Sequence, residues 1–215
     1  MLNIYGVALS PFVRKVHWAL DYKGIEYNSI ATMPNDTSPE FRAISPLGKI
    51  PVLEQDSFSV PDSSIILRYL DAKYPDKPLF PADPEMAARV SWLEEYADTN
   101  LVQGCAVFFR ERWLNPTMLN TPTDESAIKD AQNNLMPPLL AYLESVVQDE
   151  GYFAGDTLSV ADLGISSAFV QAGYGDYSVD ADAYPKLAAY ITRAMDSGLV
   201  KDQLAKEEQI FKSFG

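Results

Sequence analysis

The chain has 215 residues, of which 47% are hydrophobic, and its formal net charge is −13 at pH 7. Nucleic-acid binding and attachment to anionic membrane surfaces both require clustered Lys and Arg, so the acidic charge argues against both kinds of partner. The chain has one cysteine, Cys105, and one histidine, His17. A single cysteine excludes an intramolecular disulfide. The two residues are too few for a Cys/His zinc cluster, and a Cys–His nucleophilic pair would need a further group to assist it.

The amino-terminal segment predicts a strand, a helix and a second strand. Residues 2–7 form a short apolar run without the basic and long apolar segments of a signal peptide. Ser10 is a favourable N-cap, Pro11 suits the first helical position, and Gly24 is a typical helix stop. Residues 26–31 alternate like a second strand, so the segment is typical of a βαβ unit. Since no apolar run in the chain reaches about 18 residues, we expect a cytoplasmic protein without a membrane span.

The next segment predicts a hairpin and another helix. Residues 33–46 contain several turn-forming residues and predict an irregular segment with one short helix. Residues 50–54 and 58–60 predict two short strands joined by a turn. Asp62 and Ser63 are favourable caps for the helix that follows. The order β-α-β-(α)-β-β-α predicts an α+β domain.

A proline-rich segment separates this region from the rest of the chain. Its prolines recur every three residues, at Pro75, Pro78, Pro81 and Pro84. This spacing favours an extended linker and interrupts any helix. We therefore predict a first domain at residues 1–76, a linker at residues 77–84 and an all-helical domain at residues 85–215.

Helical spacing of apolar residues continues through the second predicted domain. One long helix is expected at residues 87–113 and another at residues 124–147, with a kink at Pro137-Pro138. Residues 159–162 have the pattern of a capping box at the start of a further helix. A last major helix is expected to begin at Tyr184.

Taken in order, these segments resemble the cytosolic glutathione transferases of the serine type, such as plant tau and bacterial members. The segments that carry the resemblance are Ser10-Pro11-Phe12, Ser45-Pro46-Leu47-Gly48-Lys49-Ile50-Pro51-Val52-Leu53, Asp62-Ser63-Ser64-Ile65-Ile66, the proline-rich linker and the capping box at residues 159–162. The resemblance implies a thioredoxin-like domain followed by an all-α domain. It also implies a homodimer that binds glutathione and a small apolar electrophile, with no metal and no further cofactor.

The resemblance implies that Ser10 is the catalytic residue. A thiol ionises at a pKa of about 8.5, and its thiolate is the nucleophile. Ser10 is expected at a helix N-terminus, where negative charge is stabilised, and its hydroxyl can donate a hydrogen bond to the sulfur. Without the resemblance, Ser10 is interpreted as an N-cap and nothing more. Tyr5, in the first predicted strand, is the alternative partner for the sulfur.

The same resemblance implies the rest of the glutathione site. Its expected members are Phe12, Lys49, Ile50, Pro51, Asp62 and Ser63. If the Ile50–Pro51 bond is cis, the Ile50 backbone pairs with the cysteinyl backbone of glutathione. Asp62 and Ser63 would bind the γ-glutamyl end, and Lys49 the glycyl carboxylate. Tau-like members have a second basic residue in the irregular segment, whereas residues 35–38 here are Asn, Asp, Thr and Ser.

The helical domain is expected to bind the apolar co-substrate. The candidate residues are Leu9, Phe108, Phe109, Arg112, Trp113 and Phe211, with Phe214 also near the end of the chain. Aromatic residues at helical spacing are equally typical of a core. Cys105 is expected to be a buried apolar filler and His17 a residue of the helix face.

Two alternative functions can be compared with the sequence, and one of them remains open. A disulfide reductase would need a C-x-x-C motif, which the chain lacks. A non-catalytic binding or scaffold protein on the same fold is the alternative from a different class, since fold does not determine function. Within the transferase interpretation, a glutathione peroxidase side activity is also possible.

Overall fold

The computed structural model describes residues 1–212, with the side chains of residues 1–208. The chain forms two compact units, Met1–Phe80 and Pro81–Gly215, which we call the N-terminal unit and the C-terminal unit. The elements of the N-terminal unit are β1 (Leu2–Tyr5), α1 (Pro11–Lys23), β2 (Tyr27–Ile30), α2 (Pro39–Ile44), β3 (Val52–Gln55), β4 (Phe58–Pro61) and α3 (Ser63–Lys73).

The N-terminal unit contains a mixed sheet in the order β2-β1-β3-β4. β1 pairs in parallel with β2, whereas β3 is antiparallel to both β1 and β4. The apolar residues of β1 and β3 are buried, and α1 packs against α3. This arrangement confirms the α+β class and the order of elements expected from the sequence.

Helix α1 begins and ends where its sequence signals predict. Ser10 precedes it with extended dihedral angles, and Pro11 occupies its first turn. Gly24 ends it with a φ of 71°, in the left-handed region that favours glycine. His17 is buried in this helix, and its ring stacks on Tyr27 at a centroid distance of 5.1 Å.

The C-terminal unit is helical throughout its regular elements. They are α4 (Pro84–Tyr96), α5 (Val102–Phe109), α6 (Asn115–Thr117), α7 (Glu125–Asp130), α8 (Met136–Val146), α9 (Val160–Gly173), α10 (Pro185–Asp196) and α11 (Gly198–Lys212). Helix α9 is buried along nearly its whole length, with α4 and α5 packed against it. Among the described residues, no helix combines the length and the apolar character needed to cross a membrane.

In the described part of the chain, three π-helical turns interrupt the two long helices predicted for this unit, at Ala97–Leu101, Arg110–Leu114 and Ala131–Leu135. Each π turn inserts an extra residue into the helix, a change that the spacing of apolar residues does not reveal. The third π turn ends just before α8, so the irregularity predicted at Pro137-Pro138 lies in the preceding turn. Pro137 itself lies in the first turn of α8, where a missing N–H costs little.

A helix begins at Pro185, directly after Tyr184, as predicted, but the prediction that it is the last major helix was wrong, because α11 follows α10. Ser197 separates the two helices and has extended dihedral angles. Its hydroxyl oxygen accepts a hydrogen bond from the Val200 amide at 3.3 Å, so the same residue that ends α10 caps the next helix.

The capping box at residues 159–162 is present and belongs to a larger buried network. The Asp162 carboxylate accepts hydrogen bonds from the amides of Ser159 (2.9 Å) and Phe153 (3.0 Å). It also accepts from the hydroxyls of Ser159 (2.6 Å) and Tyr190 (2.9 Å). Burial raises the pKa of this carboxyl, and the donated hydrogen bonds oppose that shift. Asp162 thus joins the start of α9 to α10 and to the preceding loop.

Replacing Asp162 with Ala should therefore destabilise the protein strongly. The variant leaves two buried amides and the Tyr190 hydroxyl without their acceptor, which should lower the free energy of unfolding by about 3 kcal/mol. Asp182→Ala, at an exposed position of the same unit, is the control and should change it by less than about 0.5 kcal/mol. Equilibrium urea unfolding measures both values, and equal losses would contradict this role for Asp162.

Candidate functional site

Strand register brings three predicted site segments to one edge of the sheet. Tyr5, the last residue of β1, lies opposite Val52, the first residue of β3. Val52 in turn lies opposite Pro61, the last residue of β4. Neighbouring strands are about 4.8 Å apart, so these three positions span about 10 Å. The segments that continue from them, residues 6–10, 49–51 and 62–63, therefore meet at the same edge.

The turn between β1 and α1 packs closely against the segment before β3. Gly6 has a φ of 154°, and its amide donates to the Ile30 carbonyl at 3.0 Å. A Cβ at this position would collide with Val13 and lie 3.4 Å from the Cβ of Ile50. Glycine at position 6 thus permits the close approach of the turn to Val13 of α1, while the turn also lies within van der Waals reach of Ile50.

Ser10 is the last residue of this turn, and its hydroxyl does not cap the backbone amides of α1. Its side chain makes no capping hydrogen bond, although its carbonyl accepts from the Arg14 amide at 2.9 Å. The buried Arg14 guanidinium donates to the Leu9 carbonyl at 3.4 Å. The Ser10 hydroxyl therefore lies at a helix N-terminus, which favours negative charge, and the Arg14 guanidinium contacts the turn just before it.

Tyr5 is engaged elsewhere. Its hydroxyl donates to Glu54 Oε2 at 2.7 Å, and the same oxygen accepts from Asn3 Nδ2 at 3.3 Å. The hydrogen bond to Glu54 and partial burial raise the pKa of the Tyr5 phenol. A phenol that already donates to a carboxylate is a poor additional donor for a second anion, which weakens the alternative of Tyr5 as the partner of a sulfur.

The Ile50–Pro51 peptide bond is cis. Strand β3 begins at Val52, two residues later than the sequence pattern predicted, so Ile50 and Pro51 precede the strand. Among the described residues, the backbone of Ile50 makes no hydrogen bond to another backbone group. Lys49 is exposed, and its carbonyl accepts from the Ser45 hydroxyl at 2.8 Å.

Arg42 is a site candidate that the sequence reasoning missed. Its Nε donates to the Asp36 carbonyl at 2.8 Å and its Nη1 to the Pro46 carbonyl at 3.2 Å. Gly48 has a φ of 67°, and a Cβ there would lie 2.7 Å from the guanidinium carbon. Glycine at position 48 makes room for the guanidinium directly before Lys49. The available signal was a basic residue in the short helix ahead of the glycine.

Asp62 and Ser63 begin α3 at the same edge of the sheet. Asp62 Oδ1 accepts from the amides of Ser64 (3.0 Å) and Ile65 (3.2 Å), while the residue remains exposed. Its φ of 81° is unusual for a residue with a Cβ, and such strain is concentrated at functional sites. Ser63 is buried in the first turn of the helix.

The predicted co-substrate residues are distributed over both units. In the N-terminal unit, Leu9 is half-buried, as is the predicted glutathione-site residue Phe12. In the C-terminal unit, Phe108 is buried and stacks on Tyr177 at 4.1 Å between ring centroids. The side chains of Phe211 and Phe214 lie outside the described residues.

Trp113 is the more accessible member of this aromatic group, and its neighbour Phe109 is buried. Phe109 stacks on the half-buried Trp113 at 5.1 Å between ring centroids, across the second π turn, and Arg112 is exposed beside them. Cys105, in contrast, is buried, and burial raises the pKa of its thiol, as expected of an apolar filler.

Two family models match the chain. Residues 4–78 match the glutathione S-transferase N-terminal domain, and residues 109–207 match the glutathione S-transferase C-terminal domain. Glutathione S-transferase U4 of Arabidopsis thaliana is 27% identical over 219 residues, which cover 97% of this chain and 91% of that protein. A probable glutathione S-transferase of Nicotiana tabacum is 24% identical and covers 99% of this chain and 92% of its own length.

Solved structures are similar over the same extent. A glutathione S-transferase from Rhodospirillum rubrum F11 aligns with a TM-score of 0.83 at 25% identity, over 95% of this chain and 92% of that chain. Glutathione S-transferase-I bound with lactoylglutathione aligns with a TM-score of 0.82 at 25% identity, over 95% of this chain and 98% of that chain.

The positive φ of Asp62 gives a prediction about stability. Asp62→Ala removes the cap of α3 and keeps a Cβ at an unfavourable φ, so it should lower the free energy of unfolding by about 2 kcal/mol. Asp62→Gly should lower it by less than about 1 kcal/mol, because glycine adopts positive φ freely and is a tolerable N-cap. Urea unfolding of both variants measures the difference, and a larger loss for the glycine variant would contradict the assigned geometry.

Proposed function

The chain belongs to the glutathione S-transferase family, and we propose that it activates the glutathione thiol through Ser10 for attack on an apolar electrophile. The alignment of Tyr5, Val52 and Pro61 carries this proposal, because it brings the three predicted binding segments to one edge of the sheet. Their span of about 10 Å matches the length of an extended tripeptide, at about 3.4 Å per residue.

In the proposed mechanism the Ser10 hydroxyl donates a hydrogen bond to the glutathione sulfur. A hydrogen bond to a charged group contributes about 1.5–3 kcal/mol, and one pKa unit corresponds to about 1.4 kcal/mol. That bond and the N-terminus of α1 would together lower the thiol pKa by about one to two units. The thiol loses its proton to water, the thiolate attacks the electrophile, its lone pair forms the new C–S bond, and the displaced group leaves with the bonding electrons. Support comes from the Ser10 side chain, which makes no capping bond.

The γ-glutamyl and cysteinyl parts are assigned to the two neighbouring segments. Asp62 uses Oδ1 to cap α3, which leaves Oδ2 for the ammonium group of glutathione. Ser63 and the first amides of α3 would bind the γ-glutamyl carboxylate. The Ile50 amide and carbonyl would pair with the cysteinyl backbone; neither forms a backbone hydrogen bond in the described part of the chain.

We assign the glycyl carboxylate to Lys49 and Arg42 together. The guanidinium of Arg42 lies against Gly48, and two of its five N–H groups donate to the carbonyls of Asp36 and Pro46. The remaining donors and the exposed Lys49 provide positive charge beside the proposed cysteinyl position. In a chain with a net charge of −13, such local cations favour an anionic tripeptide.

The apolar co-substrate is assigned to the predicted aromatic residues, with the half-buried Trp113, which stacks on the buried Phe109, as the accessible member and the exposed Arg112 next to it in the chain. A glutathione peroxidase side activity and a role in detoxification belong to the same proposal, as does a cytoplasmic location.

We also propose a homodimer. The stacked rings of Phe58 and Tyr69 and the exposed Ile65 support it, because association would remove this apolar surface from water.

Ser10→Ala tests the central role. Because the Ser10 side chain makes no capping bond, the variant should keep its free energy of unfolding within about 0.5 kcal/mol of the wild type. The pKa of bound glutathione, followed by thiolate absorbance in the ultraviolet, should rise by about one to two units. At neutral pH the rate of conjugation to an aryl halide should fall by about tenfold or more, since it follows the thiolate fraction.

Tyr5→Phe is the matched control, since it removes the alternative hydroxyl at the same edge of the sheet. It should leave the thiolate pKa unchanged, because the Tyr5 hydroxyl already donates to Glu54. A shift in Tyr5→Phe with none in Ser10→Ala would assign the sulfur to Tyr5. If calorimetry detects no glutathione binding to the wild type at millimolar concentration, the transferase proposal is wrong and a non-catalytic role on this fold replaces it.

Arg42→Gln and Lys49→Gln test the glycyl end with a truncated ligand. Each substitution should weaken glutathione binding by about tenfold, the loss of one charge-assisted contact. Neither should weaken the binding of γ-glutamylcysteine, which lacks the glycyl carboxylate. Calorimetric titration of both ligands gives the comparison. If Arg42→Gln weakened the binding of glutathione and of γ-glutamylcysteine equally, Arg42 would hold the loop in place without binding the glycyl carboxylate.

A further inference from the structure

Lys23 has an unusually buried ammonium group at the end of α1. Its side chain is 1% exposed, and Nζ donates to Asp71 Oδ1 at 2.7 Å. Nζ also donates to the carbonyls of Tyr74 (2.9 Å), Lys77 (3.0 Å) and Asp76 (3.4 Å). Burying a lysine is costly unless the charge is paired and hydrogen-bonded, so the described acceptors fix the position of Nζ tightly.

These contacts join the carboxyl-terminal ends of two helices. Lys23 is the last residue of α1, Asp71 lies in the last turn of α3, and Tyr74 is the C-cap of α3. A cation is favourable at both helix ends, because each ends in carbonyl groups that carry partial negative charge. Asp71 Oδ1 also accepts from the Leu79 amide at 2.8 Å, which holds the following segment against the same pair.

The opposite ends of the same two helices carry the proposed glutathione site. Ser10 directly precedes α1 and Asp62 directly precedes α3, and the strand register brings both to one edge of the sheet. At 1.5 Å per residue, the 13 residues of α1 span about 20 Å and the 11 residues of α3 about 16 Å. The helices pack against one another and run in the same direction, so an axial displacement at one end displaces the other.

We propose that Lys23 is a positioning residue for the glutathione site, an inference that rests on the proposed function. By holding the ends of α1 and α3 together, the Lys23–Asp71 pair sets the axial register of one helix against the other. That register determines the distance between the Ser10 hydroxyl, which binds the sulfur, and the Asp62 and Ser63 groups, which bind the γ-glutamyl end. Hydrophobic contact between helices tolerates small sliding motions, whereas a buried ion pair at 2.7 Å does not.

Lys23→Met and Asp71→Asn test this role, with Leu79→Ala as the control. Leu79 is buried in the same segment, so its truncation loosens that segment and lowers stability but leaves the ion pair intact. Both ion-pair variants should raise the KM for glutathione about tenfold, since misplacement by about 1 Å is enough for such a loss. Their kcat at saturating glutathione and high pH should stay within about twofold of the wild type, because the thiolate is then fully formed.

The pKa of bound glutathione should rise in the two ion-pair variants and stay unchanged in Leu79→Ala. If Lys23→Met does not fold, Asp71→Asn gives the same comparison, since it keeps the side chain's size and removes only its charge. Ion-pair variants whose glutathione KM and thiolate pKa match those of Leu79→Ala would show that Lys23 is only structural. A wild type that binds no glutathione would instead contradict the proposed function, so the two failures are distinguishable.

Discussion

The pairing of β3 with both β1 and β4 is the constraint on which the proposed glutathione site depends. Tyr5, Val52 and Pro61 lie side by side, so the chain leaves or enters the sheet three times at one edge. A one-residue slip would turn every side chain of a strand to the opposite face and disrupt the packing of Val52 and Leu53, which are both buried. The same burial that stabilises the sheet therefore positions the polar segments that carry the proposed chemistry.

The charged groups nearest the proposed site differ from the acidic average of the whole chain. The net charge of −13 opposes the approach of an anionic tripeptide, but exposed charges are screened beyond about 8 Å at physiological salt. Groups in direct contact decide the local outcome: Arg14 beside the Ser10 turn, Arg42 against Gly48, and the exposed Lys49. In the proposed function, glutathione affinity and thiol activation would thus depend on short-range cations and helix N-termini rather than on the long-range field of the chain.

Local signals explain what the sequence predicted well. Ser10, Pro11 and Gly24 delimit α1 and the residues around Asp162 form the expected capping box, because each signal acts within one turn of its own position. The π turns, the helix α11 and the φ of Asp62 were not predicted, since they depend on packing or on one-residue shifts. The partners of Tyr5 and Lys23 lie about fifty residues away, so only the folded chain reveals them.

Such long-range contacts decide which hydroxyl is assigned to the glutathione sulfur. Tyr5 and Ser10 are both hydroxyl donors near one edge of the sheet, and from the sequence either can serve a sulfur anion. Glu54 engages the Tyr5 hydroxyl and raises its pKa, whereas the Ser10 hydroxyl caps no amide. A group already donating to a carboxylate must lose that bond before it can donate elsewhere, and the loss offsets most of the gain. The choice between the two hydroxyls therefore depends on Glu54, a residue that itself need not touch glutathione.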